Sequence, residues 1–159
     1  MTHKVSSDQL SALRFERVWV REAVFHDVEN THDAVSPKDH VNVEIRIEVR
    51  ATYSARGDQA FVTVRAVLEP PSGQKLFQQL SGAVEGAFSV RGNLDRERLE
   101  GFATTQAPVL LLPYLRQLLT SLTAQSRVGA VIIPPLNMLE ITKAMKTQAK
   151  EKPVVVASE

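Results

Sequence analysis

An α+β fold, with a four-stranded antiparallel sheet followed by a long helix and a C-terminal helix, is predicted by three observations. Apolar residues recur with a period of two as far as about Asn93 and with a helical period beyond it. Clusters of turn formers, Arg56-Gly57-Asp58 and Pro70-Pro71-Ser72-Gly73, divide the alternating part into runs of strand length. The 159 residues suit one domain, 1–159, with an ordered core over about 13–148 and flexible tails on either side.

The first strand is expected over Leu13 to Phe25. Phe15, Trp19 and Phe25 share one parity and Val18, Val20 and Val24 the other, so both faces are at least partly covered. A long link, Asp27 to His40, follows; with Asn30, Ser36 and Pro37 it need not be a hairpin and has the length to cross the sheet edge. The second strand is clearer, because Val41, Val43, Ile45, Ile47 and Val49 alternate with Asn42, Glu44, Arg46, Glu48 and Arg50. Past the turn at Arg56, the run Ala60, Val62, Val64, Ala66, Leu68 forms a third strand, antiparallel to the second. Leu76, Leu80, Val84, Phe88 and Val90 continue one face of a fourth strand; Gly82 and Gly86 on that face predict bulges or the close approach of another backbone.

Asp95 is the expected N-cap of a short helix running to about Thr105, with Glu97 in its first turn. The stronger helix follows Pro108 and Pro113, where Leu111, Leu115, Leu118, Leu119 and Leu122 make a wide apolar stripe. After Pro134-Pro135, Asn137 and Glu140 resemble a capping box opening a last helix through about Gln148.

Composition narrows the function. With 43% hydrophobic and 23% charged residues the chain is a globular protein and not a disordered one. Nineteen basic against eighteen acidic residues leave +1, too balanced to predict nucleic-acid binding. There is no cysteine, hence no disulfide framework, thiolate zinc site or cysteine nucleophile. The start lacks the apolar stretch of an export signal, and the run Ala107 to Leu115 is interrupted by proline and too short to span a membrane. A cytoplasmic protein is expected.

Neither phosphate-cradling glycine motif occurs, so no nucleotide is implied and no cofactor is expected. His3, His26, His32 and His40 lack ligand spacing, and no metal is expected. Glu16, Glu22 and Asp27, or Glu44 and Glu48, alternate with arginine as on any wet sheet face, which argues against an acid–base pair. Lys143, Lys146, Lys150 and Lys152 read as a solvated helix end. The unusual feature is apolar supply: the leucine-rich helix and Val128, Val131, Ile132, Ile133 and Leu136 add to a sheet already apolar on more than one face. Either the helix is simply buried or the excess serves oligomerisation or apolar ligands.

Four stretches carry a resemblance: Phe15-Glu16-Arg17-Val18-Trp19 with Phe25; Gly86-Ala87-Phe88-Ser89-Val90; Pro113-Tyr114-Leu115-Arg116 with Leu119-Thr120-Ser121-Leu122; and Val131 to Asn137 around Pro134-Pro135. In this order they resemble the SecB protein-export chaperones, over approximately Leu13 to Thr142. The resemblance implies a non-enzymatic, ATP-independent holdase that keeps unfolded or precursor polypeptides competent for export, assembles as a dimer of dimers and hands clients to the motor SecA. It implies a client groove lined by Val41, Val43, Ile45, Leu80, Val84, Leu136, Met138, Leu139 and Ile141, and an oligomer interface of Leu111, Leu115, Leu118, Leu119 and Leu122. The motor-docking positions align with Glu22, His26 and Ser81, which leaves Glu22, with neighbouring Asp27, as the docking candidates. A SecB-like chaperone for another client, such as an antitoxin, fits the same fold. A hot-dog-like small-ligand enzyme, with Glu85 in its pocket, and an oligomeric adaptor are the alternatives of other classes.

Overall fold

The computed structural model describes residues 13–29, 43–92, 94–137 and 140–141. Strands β1 (Leu13–His26), β2 (Glu44–Tyr53), β3 (Gln59–Glu69) and β4 (Gln79–Val90) precede one helix, α1 (Arg96–Thr123). The strands form one antiparallel sheet in the order β1-β4-β3-β2. The expected β2–β3 hairpin is present, pairing Ile45 with Leu68 and Tyr53 with Ala60. At its turn Gly57 has φ 70°, which a side chain would strain, and the Ser54 hydroxyl accepts from the Gln59 amide at 3.0 Å.

β1 and β2 are the two outer strands, so the end of β1 and the start of β2 lie on opposite edges of the sheet. That is three strand spacings, about 14 Å.

Alternation sorts the sheet into two faces. Ala60, Val62, Val64, Ala66 and Leu68 of β3 and Leu80, Val84 and Phe88 of β4 are all buried beneath α1. In β1 the expected phase does not persist. Register shifts between Phe15 and Arg17 and between Val20 and Glu22 put one extra residue into the strand each time. After the first, Val18 rather than Trp19 packs on the core, and Trp19 pairs with Glu85 on the opposite face, with the Arg17 guanidinium 5.2 Å from its ring. The bulges therefore lie in β1, while the glycines of β4 serve close packing. A β-carbon at Gly86 would stand 2.5 Å from Leu111 Cδ2, and one at Gly82 3.0 Å from Leu119 Cδ2.

The short and long helices expected on either side of Pro108 are one continuous helix of 28 residues. Asp95 caps it as expected, its carboxylate accepting from the Arg98 amide at 2.8 Å. Pro108 and Pro113 lie inside, depriving the carbonyls of Thr104 and Val109 of their amide partners. Packing outweighs that loss: Leu99, Ala103, Ala107, Leu111, Leu115 and Leu119, four residues apart, form an unbroken line against the sheet, none more than 2% exposed. β4 begins at Gln79 and not at Leu76, which sits in the preceding loop beside the buried Phe77. At the expected last helix, the Asn137 side chain accepts from the Glu140 amide at 3.4 Å and its carbonyl from Ile141 at 3.2 Å. The remainder of that helix lies outside the described residues.

Candidate functional site

The inner face of the sheet is not uniformly covered. Along the outer strand β2, Ile45, Ile47, Val49, Ala51 and Tyr53 point to the core side but are only half-buried, and Val43, just before the strand, is likewise. The Arg96 guanidinium, 5.7 Å from the Tyr53 ring, roofs one end of this row. Leu136 and Ile141 also remain half-buried against the core. Leu80 and Val84, expected in the same groove, are instead enclosed under α1, at 0% and 2% exposure, because β4 is an inner strand. Val41, Met138 and Leu139 lie outside the described residues.

The helix shows a second departure. Leu111, Leu115 and Leu119 are fully buried against the protomer's own sheet, and Leu118 and Leu122 are half-buried beside them. Three of the five leucines expected to pair subunits are thus already occupied, because the stripe that reads as one wide face is centred on the core. The apolar residues turned outward are Val109, Leu110 and Tyr114, all more than 40% exposed. Tyr114 meets Phe15 edge to ring at 5.9 Å, which carries this surface to β1, where Val20 is also exposed. A second set, Leu110, Tyr114 and Leu118 at four-residue spacing, was the signal for this face in the sequence.

A pocket of about 280 Å³ lies on the far side of α1. Pro113, Arg116, Gln117, Thr120 and Ser121 form its floor and Ile132 and Ile133 its wall. The wall is held by side chains: Thr120 Oγ1 donates to the Val131 carbonyl at 3.0 Å, Arg116 Nε to the Ile133 carbonyl at 2.9 Å, and the Val131 amide donates to Thr123 Oγ1 at 2.8 Å. Ile132 is left pointing outward, 75% exposed.

The opposite face of the sheet sets paired polar side chains among apolar ones such as Trp19, Phe61 and Val67. Glu22 accepts from Arg65 and from Ser81 Oγ, and these bonds hold its carboxyl below the usual carboxylate range. Arg65 also reaches Glu48 at 3.7 Å. Asp27 pairs with Arg127 at 3.0 Å, which holds its carboxyl below the usual range likewise; the same Arg127 nitrogen donates to the Leu76 carbonyl at 2.9 Å. The two carboxylates expected to dock a motor are therefore engaged within the protomer. Glu85, the candidate for an enzyme pocket, lies on this same face, accepting from Thr63 Oγ1 at 2.9 Å with Arg21 at 3.6 Å. Glu16 accepts from Ser89. Among the described residues no three His, Cys, Asp or Glu are grouped to hold a metal ion, and no helix is long and apolar enough to cross a membrane.

The sequence matches the family described as preprotein translocase subunit SecB over residues 6–149. An uncharacterised protein of Methanocaldococcus jannaschii is 29% identical over 147 residues, 89% of this chain and 91% of the relative. The protein-export protein SecB of Stenotrophomonas maltophilia is 26% identical over 127 residues, 79% of this chain and 72% of the relative. Among solved structures, a Mycobacterium tuberculosis SecB-like chaperone in complex with a ChAD peptide from an antitoxin superposes with a TM-score of 0.61 at 16% identity, covering 79% of this chain and 91% of that one.

Proposed function

Because the chain belongs to the SecB family, whose members are non-enzymatic chaperones, we propose that it is an ATP-independent holdase for unfolded or precursor polypeptides. The observation that carries the proposal is apolar surface which folding leaves open on three sides of α1: the half-buried row of β2, the outward Val109, Leu110 and Tyr114, and Ile132 beside its pocket. A monomer with no partner has no use for such surface. Burial supplies only about 25 cal/mol per Å², and ordering a bound chain offsets much of that, so one patch holds a client weakly. Assembly into a dimer of dimers multiplies the patches, and each engagement raises the effective concentration for the next.

Within this reading, Val43, Ile45, Leu136 and Ile141 contribute to the client groove, and Leu110, Tyr114 and Val20, flanked by Leu118 and Leu122, to the contact between subunits. Export through SecA receives no support from Glu22 and Asp27, which pair with Arg65 and Arg127 within the protomer. A client of another kind, such as an antitoxin, is the second reading that this internal pairing favours, and the mycobacterial neighbour is seen in complex with an antitoxin peptide. The deciding experiment is suppression of aggregation of a chemically denatured model substrate at stoichiometric ratio without nucleotide. Suppression is expected; its absence overturns the holdase.

A further inference from the structure

We propose that the sheet face turned away from α1 docks an acidic segment of a partner protein at the end marked by Arg17, Trp19, Phe61 and Arg50. This partner is distinct from the clients of the holdase reading. The β2 row and the contact around Leu110, Tyr114 and Val20 lie on the helix side of the sheet, where Val20 pairs with the buried Val84.

Strand register brings the residues together. Trp19, Glu85, Thr63 and Arg50 stand side by side across all four strands, and Arg17, Ala87, Phe61 and Thr52 form the adjoining row. Trp19 and Phe61, on the strands either side of Ala87, are half-buried and leave ring surface open. The charges at this end do not balance. Four arginines meet two carboxylates: Arg14 lies 3.6 Å from Glu16 and Arg21 3.6 Å from Glu85. Among the described residues neither Arg17 nor Arg50 has a carboxylate within ion-pair distance. The Arg17 guanidinium, 5.2 Å from the Trp19 ring, is held by that ring yet keeps its N–H groups for a carboxylate. At the other end of the same face the sign reverses, with Glu22, Glu44, Glu48 and Glu69 outnumbering Arg46 and Arg65.

This pattern defines the occupant. An acidic segment sets carboxylates on Arg17 and Arg50 and an apolar side chain against Trp19 and Phe61, the residue types in which protein interfaces are rich. β1 and β2 are three strand spacings apart, about 14 Å, which about four extended residues span. The acidic end repels the same segment and so confines it to this half of the face. A nucleic acid fits less well: the chain's charge of +1 exerts no long-range pull, and Glu16 and Glu85 among the arginines oppose a continuous row of phosphates.

Trp19 is the only tryptophan of the chain, so the site carries its own reporter. The full-length protein is titrated at low salt with a short peptide of one leucine flanked by glutamates, and with its glutamine and lysine counterparts, while Trp19 emission is followed. The glutamate peptide should change the emission and bind about three- to tenfold more tightly than the lysine peptide, a ratio that narrows as salt rises. Arg17→Gln and Arg50→Gln should each weaken it about two- to fivefold. Arg46→Gln, the same loss of charge at the acidic end of the face, should leave it nearly unchanged. A chemically denatured client, which engages the helix side, should not displace the peptide. The proposal is overturned by a silent Trp19, by equal affinities for the three peptides, by an equal loss in Arg46→Gln, by displacement with the client, or by a single-stranded oligonucleotide that binds more tightly than the glutamate peptide. Suppression of aggregation tests the holdase separately and stands or falls on its own.

Discussion

Arg65 on β3 grips Glu22 on β1 across the intervening strand: its Nε stands 3.2 Å from both carboxylate oxygens and its Nη2 3.1 Å from one of them. Ser81, on β4 between them, donates to the same carboxylate at 2.6 Å. The group ties three strands together, and the contact of Arg65 with Glu48 extends it to the fourth. Both side chains remain about one-third exposed, so the contribution is that of a well-aligned surface pair. Glu22→Gln or Arg65→Met should each lower stability by up to about 1 kcal/mol, or about 2–4 °C in Tm. A thermal double-mutant cycle measures the pair itself, and additive effects would show that it contributes nothing.

Acid should weaken the fold through the same group. The carboxyls of Glu22 and Asp27 both lie below their ordinary values of 4.5 and 3.8 in the folded protein. A depressed folded value means that the unfolded chain takes up protons first, so the stabilisation is complete above the ordinary carboxylate range and is lost as pH falls through the folded values. Tm should thus be level near neutrality and decline below about pH 5. Glu22→Gln combined with Asp27→Asn should flatten that decline; an unchanged slope would place the acid sensitivity elsewhere.

Much of this architecture was legible because strict alternation needs no knowledge of the rest of the chain. The β2–β3 hairpin, the β4 face and the Asp95 cap follow from local pattern. Four features escaped for separate physical reasons. The bulges of β1 invert the phase of Trp19, and no residue of that strand announces them. Pro108 and Pro113 are local helix breakers overruled by tertiary burial. Two series at four-residue spacing, Leu111-Leu115-Leu119 and Leu110-Tyr114-Leu118, are visible in the sequence, but which of them meets the sheet depends on where the sheet lies beneath the helix. The pairing of Glu22 with Arg65 spans 43 residues of sequence and is invisible to any local motif.

The close approach of α1 to β4 should make a side chain at Gly86 costly. A β-carbon there would meet Leu111 Cδ2 at 2.5 Å and Phe88 Cε2 at 3.1 Å, and both residues are buried, so the Leu111 side chain must shift within packed surroundings. Gly86→Ala should destabilise by about 1–3 kcal/mol through overpacking. Chemical denaturation checks this, and pairing the change with Leu111→Ala should restore part of the loss; an additive double variant would show that Leu111 is not the obstacle.

The two faces of α1 should respond in opposite ways. Leu115 is fully buried, so Leu115→Ala should lower stability by about 2–5 kcal/mol, with a change in assembly only to the extent that the protomer itself unfolds. Leu110 and Tyr114 are 45% and 42% exposed, so Leu110→Asp or Tyr114→Asp places a carboxylate in water in the isolated protomer at little loss of fold. At a subunit contact the same carboxylate would be buried without a partner, which is strongly unfavourable. Sedimentation velocity should therefore show the Asp variants as smaller species with native circular dichroism. If they sediment as the wild type does, this face of the helix pairs with no second copy.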